Sequence, residues 1–323
     1  MSDTFFFQVD GLNTWFFTRK GTIKSVRDIS FGVARGEVLG IVGESGSGKS
    51  VTGMSIMGQI DEPGRIVSGS ISLDGQELTG LDFEEMRHYR GNRIAMVFQN
   101  PLMTLNPLMR VRDQMYEAIS AHESVPRKEM YDRCIEALRS VGIPSPEERL
   151  NAYPHEMSGG MRQRVVIAIA LLLGPDLIIA DEPTTALDVT IQAQIIYQIR
   201  RQIDERGLGM IWITHDLSTL SELADRIMVM YAGAMMEIGT TEEIIGAARH
   251  PYTRKLLESV PSRNAPGEKL KQIPGNMPSL LTLGEGCPFA NRCERMTDIC
   301  RQPVQARQLS ETHRIWCYHP FED

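Results

Sequence analysis

The sequence predicts a parallel α/β core, opened by a small antiparallel sheet and interrupted by a helical insert, and three observations lead to it. Val38-Leu39-Gly40-Ile41-Val42 is a short apolar run bounded by glycine, and the Gly-rich stretch after it passes directly into a helical pattern over Lys49 to Met57. Apolar runs of strand length return at Leu177 to Ala180, Gly209 to Thr214 and Arg226 to Tyr231. Between the two groups, from about Pro107 to Leu173, the apolar spacing is helical, most clearly over Glu129 to Val141.

Taken in chain order, Phe6 to Phe17 and Ile29 to Val33 alternate as half-buried strands do, and so does Ile66 to Leu73, which gives the antiparallel sheet. Ile94-Ala95-Met96-Val97-Phe98 is a further apolar run, ending at Gln99. Cys134 falls on the amphipathic segment and is expected in the core. No internal repeat interrupts the order. Beyond residue 260, Pro261, Pro266, Pro274 and Pro278 punctuate a polar stretch, read as a linker wrapping into a Cys-rich C-terminal tail. The expected division is therefore 1–260, with the helical insert at about 100–173, and 261–323.

A chain of 323 residues holds one large domain, or one of about 250 residues with an appendage. The net charge of −7 and the lack of any Lys/Arg run argue against nucleic acid as a partner. The first residues have neither the basic start nor the apolar length of a signal peptide. The longest apolar stretch, Val165 to Leu173, is far short of the roughly 20 residues that span a bilayer. The expectation is a soluble cytoplasmic protein that meets a membrane by docking only.

Gly43-Glu44-Ser45-Gly46-Ser47-Gly48-Lys49-Ser50 fits a phosphate loop. Glycines at 43, 46 and 48 let consecutive backbone N–H groups turn inward as a cradle, and the following helix offers its positive end. Lys49 supplies a charge for phosphate and Ser50 a hydroxyl for magnesium. Asp181 ends an apolar strand, where a carboxylate can hold that magnesium through water, and Glu182 beside it can polarise an attacking water. Alone, such a carboxylate pair is often a helix-start signal; the phosphate loop upstream favours the chemical reading. His215 follows the run Met210 to Thr214 and is placed to contact a γ-phosphate, the alternative being a structural cap. Gln99 follows its own apolar run as a magnesium ligand or γ-phosphate sensor.

Ser158-Gly159-Gly160-Met161-Arg162-Gln163 lies between these motifs and precedes a long helical segment, so its hydroxyl and N–H groups form an anion site with no phosphate of its own. In isolation it would read as a helix cap with flexible glycines.

Together, Gly43 to Ser50, Gln99, Ser158 to Gln163, Asp181-Glu182, Ala186-Leu187-Asp188 and His215 resemble, in order and spacing, the nucleotide-binding subunit of ABC transporters. The resemblance covers about residues 5 to 260. It implies a P-loop NTPase fold with a RecA-like core, an antiparallel β subdomain and an inserted α-helical subdomain. It also implies ATP and Mg2+ as cofactors. Gly43, Ser45, Gly46, Gly48, Lys49 and Ser50 would hold nucleotide, and Ser50, Gln99 and Asp181 the metal. Glu182 would be the catalytic base, His215 the switch histidine and Gln99 the Q-loop residue. Ser158, Gly159, Gly160 and Gln163 would face the nucleotide of an opposite subunit, with Asp188 linking the two sites. Met157 and Met161 depart from the commonest signature, a change in packing that leaves Ser158, Gly159 and Gly160 intact. Phe16 is the nearest match to the aromatic that stacks on adenine, with Trp15 and Phe17 as rivals.

Arg249-His250-Pro251-Tyr252-Thr253-Arg254-Lys255-Leu256-Leu257, Tyr153-Pro154-His155-Glu156 and Asp188 to Gln194 narrow the resemblance to the oligopeptide/dipeptide branch, nearest its dipeptide-permease D type. That branch implies peptide import across the bacterial inner membrane from its cytoplasmic face. It further implies a second, different ATPase subunit in a heterodimer, two permease subunits and a periplasmic or surface substrate-binding protein. Nickel, heme or oligosaccharide are the other substrates of the branch, and an ABC ATPase acting on nucleic acid is the remaining alternative. Four of the five cysteines, Cys287, Cys293, Cys300 and Cys317, supply the thiolates that a [4Fe–4S] cluster or a structural zinc takes. The lack of close C-x2-C pairs tilts the spacing toward iron–sulfur, with free thiols as the further alternative, and the branch associates its four-cysteine tail with such a cluster.

Overall fold

The computed structural model describes residues 5–100, 104–184, 189–260 and 272–322. By internal contacts the chain divides into two compact units, one comprising residues 1–34, 38–79 and 212–323, the other 35–37 and 80–211.

The first unit opens with an antiparallel sheet. Phe7–Thr18 pairs with Gly21–Val33 on one side and with Gly64–Leu73 on the other, and Gln76–Glu77 closes the hairpin after it. Its alternation buries Phe7, Val9, Leu12 and Thr14, as a one-sided sheet requires. A second layer begins with Val38–Val42, buried throughout, which pairs in parallel with Arg226–Tyr231. Arg226–Tyr231 in turn pairs antiparallel with Ala234–Thr240, a strand that the sequence reading did not include. The hairpin turns at Ala232 and Gly233, both with positive φ.

The tail adds to this same unit. Arg314–Ile315 pairs with the outer edge of Ala234–Thr240, and Arg307–Gln308 pairs with Arg314–Ile315. On Ala234–Thr240 itself, opposite Ile315, Glu237 is fully buried, accepts hydrogen bonds from the Arg249 and His250 N–H groups at 2.7 and 3.1 Å and meets His313 Nε2 at 2.8 Å. Burial by itself would raise the Glu237 pKa, but the His313 contact and the backbone donors outweigh it and hold the carboxyl below its usual range.

The second unit carries the helices expected between about Pro107 and Leu173: Val111–Ser120, Arg127–Ser140, Pro146–Arg149 and Gly159–Leu171. Arg127–Ser140 buries Cys134, Ile135 and Leu138, one stripe of its surface, and burial pushes the Cys134 thiol up to about 12, in keeping with an inert core residue. Two buried strands, Ile94–Val97 and Leu177–Asp181, pair in parallel in register from Ile94 opposite Leu177 to Val97 opposite Ala180. Asp176 anchors the start of the second through ion pairs with Arg93 and Arg35. Gly209–Thr214 then carries the chain from the second unit into the first.

Candidate functional site

The phosphate loop follows Val42 and ends in the helix Lys49–Ile56. Two of its glycines are forced by close backbone approach. A Cβ on Gly43 would lie 2.1 Å from the Met230 carbonyl, and one on Gly48, where φ is +100°, would lie 2.3 Å from the Ser25 carbonyl. Gly233 completes the support by donating its N–H to the Ser47 carbonyl at 2.9 Å. Lys49 is buried and its ammonium donates to the carbonyls of Gly43 and Glu44 at 2.8 and 3.1 Å. Ser45 and Gly46 are exposed and Ser50 is half-buried. Gly48 brings no side chain to cap the helix and no acidic residue stands in its first turn, so the positive helix end faces outward uncompensated.

The three candidate aromatics separate cleanly. Trp15 lies under the Lys24 ammonium, 4.7 Å from its ring, and Phe17 under the Arg65 guanidinium at 4.6 Å. Phe16, half-buried, instead packs over Gly64, where a Cβ would come within 2.5 Å of its ring. It follows Thr14 by two residues, and the Thr14 hydroxyl bonds to Ser55 of the phosphate-loop helix at 2.7 Å. His215 is exposed directly after Gly209–Thr214, while its neighbour Asp216 caps the next helix through the Ser218 N–H at 2.9 Å.

In the second unit Asp181 is the buried last residue of its strand. Glu182 follows with φ at +47°, a left-handed conformation that costs a non-glycine residue about 1–3 kcal/mol and is retained where the surroundings enforce it. Its carboxylate accepts a hydrogen bond from the exposed Gln99 amide at 2.9 Å. The two residues, far apart in sequence, are thus brought together at the ends of paired strands. Ser158 caps the helix Gly159–Leu171 through the Met161 N–H at 3.3 Å. It is exposed together with Gly159, which has open space where a Cβ would stand. Met157 and Gln163 are buried, at 5% and 2% exposure, so both face the packing side of this turn while Ser158 and Gly159 face solvent. Ala186, Leu187 and Asp188 lie outside the described residues.

The sequence reading missed a set of contacts on Glu44. Arg292, in the tail, donates through Nη1 to both carboxylate oxygens of Glu44 at 3.1 and 2.9 Å and to the Tyr231 hydroxyl at 3.0 Å. The Tyr252 hydroxyl accepts the Glu44 N–H at 3.0 Å. Tyr231, Tyr252 and Phe289 pack as one aromatic group with centroids 4.6 to 5.3 Å apart. A glutamate within an otherwise Gly/Ser loop was the only available signal.

All five thiols are free of disulfides. Cys287 donates its N–H to the Cys300 carbonyl at 2.8 Å. Burial first, and then the neighbouring Cys317, Cys293 and Cys300, push the Cys287 thiol up to about 12. Cys317 rises to about 11 by burial with Cys293 and Cys300 beside it, and Cys293 is raised in the same way. Among the described residues, no group of three or more His, Cys, Asp or Glu side chains is gathered as around a single metal ion.

Residues 26–185 match the ABC transporter family, and residues 236–300 match the oligopeptide/dipeptide transporter C-terminal region. The dipeptide transport ATP-binding protein DppD of Bacillus subtilis is 45% identical over 312 residues, covering 96% of this chain and 93% of that protein. The oligopeptide transport ATP-binding protein OppD of Escherichia coli is 42% identical over 315 residues, covering 98% and 93%. Among solved structures, the dimeric ATP-binding cassette MJ0796 in a post-hydrolysis state with ADP and Pi is similar with a TM-score of 0.66 at 25% identity, covering 73% of this chain and 98% of that one. The cbiO1 subunit from Clostridium perfringens gives 0.65 at 27% identity, covering 76% and 92%. A phosphate loop, a strand-end carboxylate pair and the matched C-terminal region, shared over nearly the whole length, make this chain a member of the ABC transporter ATP-binding proteins of the oligopeptide/dipeptide type.

Proposed function

We propose that this chain is the ATP-hydrolysing subunit that powers peptide import, docked on permease subunits at the cytoplasmic face of the inner membrane. The hydrolytic part rests on one observation above all: the Glu182 carboxylate held by the Gln99 amide at 2.9 Å, on a backbone kept left-handed. The peptide part rests on the likeness to dipeptide and oligopeptide transport ATP-binding proteins.

ATP phosphates lie in the cradle of Gly43 to Ser50, with Lys49 turning from the loop carbonyls toward them and Phe16 offered to the adenine. Ser50, Gln99 and Asp181 are oxygen donors of the kind that suit magnesium, which spreads the charge of the phosphates when bound. Glu182 takes the proton of the attacking water as it adds to the γ-phosphate, and Gln99 keeps the carboxylate aimed. His215 stands at its strand end to contact the γ-phosphate. Ser158 and Gly159, exposed at a helix start, suit the nucleotide of an opposing subunit, with Asp188 joining the two sites. That opposing subunit is a different ATPase chain, by analogy with the branch, and a substrate-binding protein delivers the peptide.

The tail thiols suit a [4Fe–4S] cluster. Cys287, Cys293 and Cys317 are partly buried, burial and the other tail cysteines hold their thiols protonated, and iron would offset that by taking the thiolates as ligands. When bound, the cluster cross-links residues 287 to 317.

Glu182→Gln in the assembled transporter tests the hydrolytic assignment. Turnover is expected to fall by about 10² to 10⁴ with ATP still bound, and unchanged turnover would remove Glu182 from its role. Isolation of the complex with the associated binding protein, followed by mass analysis of the ligand it carries, tests the peptide assignment.

A further inference from the structure

Every polar group of Glu44 is held. Its N–H donates to the Tyr252 hydroxyl, its carbonyl accepts from Lys49 and from the Ser47 N–H, and its carboxylate lies on Arg292. Two of these partners, Tyr252 and Arg292, belong to the C-terminal region rather than to the phosphate-loop segment. Arg292 is itself fixed from all sides. Its side chain is only 7% exposed, Nε donates to the Pro274 carbonyl at 2.8 Å and Nη2 to the Ile273 carbonyl at 3.1 Å. It ends the turn Ala290–Arg292, between Cys287 and Cys293.

A carboxylate inside a loop that must receive a polyanion is a liability. Uncompensated, its charge repels the phosphates that the neighbouring N–H groups attract, and the repulsion is little screened at short range. We infer that Arg292 is a positioning residue of the ATP site, which neutralises Glu44 and thereby keeps the phosphate loop receptive to a polyanionic nucleotide. The C-terminal extension then acts on nucleotide affinity within its own subunit, through one ion pair whose arginine is buried and whose glutamate is half-buried. Breaking such a pair from one side leaves the other charge stranded, so loss of Arg292 and loss of Glu44 have opposite consequences for ATP. The inference rests on Gly43 to Ser50 being the phosphate cradle proposed above.

The experiment compares Arg292→Ala, Glu44→Gln and the double variant in the assembled transporter, reading KM for ATP and kcat separately, with thermal melting to establish folding. Arg292→Ala is expected to raise KM about tenfold with kcat within about twofold, as for a lost charge-assisted contact. The double variant is expected to return KM to within about threefold of the parent, because the stranded charge is gone; a merely structural role for Arg292 gives no such rescue. Should Arg292→Ala fail to fold, Arg292→Gln, which keeps a donor for the carbonyls of Ile273 and Pro274, carries the same expectation. An unchanged KM in a folded Arg292 variant, or a double variant as weak as the single, overturns the inference. Lys49→Ala separates the two claims: if it leaves ATP binding intact the cradle assignment fails, whereas if it abolishes binding while Arg292→Ala does not raise KM, only the role of Arg292 fails.

Discussion

The Gln99 amide nitrogen donates to the Glu182 carboxylate at 2.9 Å, joining the second residue beyond one parallel strand to the first residue beyond its neighbour. The contact fixes the aim of the proposed base while leaving its second oxygen to other partners. Gln99→Ala is expected to lower kcat at least about tenfold, a part of the full general-base contribution. ATPase assays of the assembled complex with ATP titration check this, and an unaltered kcat would show that Glu182 needs no such partner.

Gly48 sits at φ +100° with the Ser25 carbonyl 2.3 Å from where a Cβ would stand. Gly48→Ala therefore meets both a forbidden backbone region and a rigid backbone atom, neither of which relaxes cheaply. A loss of at least about 2 kcal/mol in stability is expected, accompanied by loss of nucleotide binding. Denaturant titration with and without ATP reads both quantities. A fully stable, ATP-binding Gly48→Ala variant would contradict the packing described at this turn.

His250 is buried, and its Nδ1 accepts the Tyr252 N–H at 2.9 Å at the start of Pro251–Glu258. Burial pushes its pKa down to about 4, against a partial opposing pull from Glu237. The unfolded chain then takes up a proton near pH 6.5 that the folded chain refuses, so stability is full above 6.5 and is lost as pH falls toward 4, by about 1.4 kcal/mol per unit. His250→Asn keeps an acceptor for the cap and cannot titrate. Its melting temperature is expected to fall less steeply than that of the parent between pH 6.5 and 5, above the carboxylate range, and equal slopes would assign the acid sensitivity elsewhere.

Anaerobic purification is expected to give protein with about four iron and four sulfide per chain and absorbance near 400 nm, as a four-thiolate cluster requires. Cys300→Ser, at the most buried of the four tail positions, is expected to lose that absorbance. Bound zinc without iron, or neither metal in fresh protein, would defeat the cluster assignment.

Much of the candidate nucleotide site was legible because its proposed chemistry is local in sequence. Gly43 to Ser50 is one unbroken segment, and Asp181-Glu182 ends an apolar run whose length already says strand. Phe16 was harder, since three adjacent aromatics share one composition signal and differ only in what covers them: cations over Trp15 and Phe17, Gly64 beneath Phe16. The Glu44–Arg292 pair could not be read at all. Its partners stand 248 positions apart, and a glutamate in a Gly/Ser-rich loop carries no hint of which distant cation it meets. The strand Ala234–Thr240 escaped for another reason: the apolar run closes at Tyr231, and Ala232 and Gly233 make so tight a reversal that no polar loop marks the start of the next strand.

The pairing of Arg314–Ile315 along the outside of Ala234–Thr240 has a practical meaning for anyone preparing the protein. The backbone groups of a strand edge left bare invite the edge of another molecule. Here the guard is two residues long and followed by a neighbour of the same length, too small to recruit a stranger in turn. A chain cut before residue 307, trimmed to what looks like the catalytic part, would lose that guard and expose a hydrophobic strand ready to zip onto its copies. Insolubility of such a trimmed protein would then report on a missing chaperone within the chain, not on a defect of the ATPase.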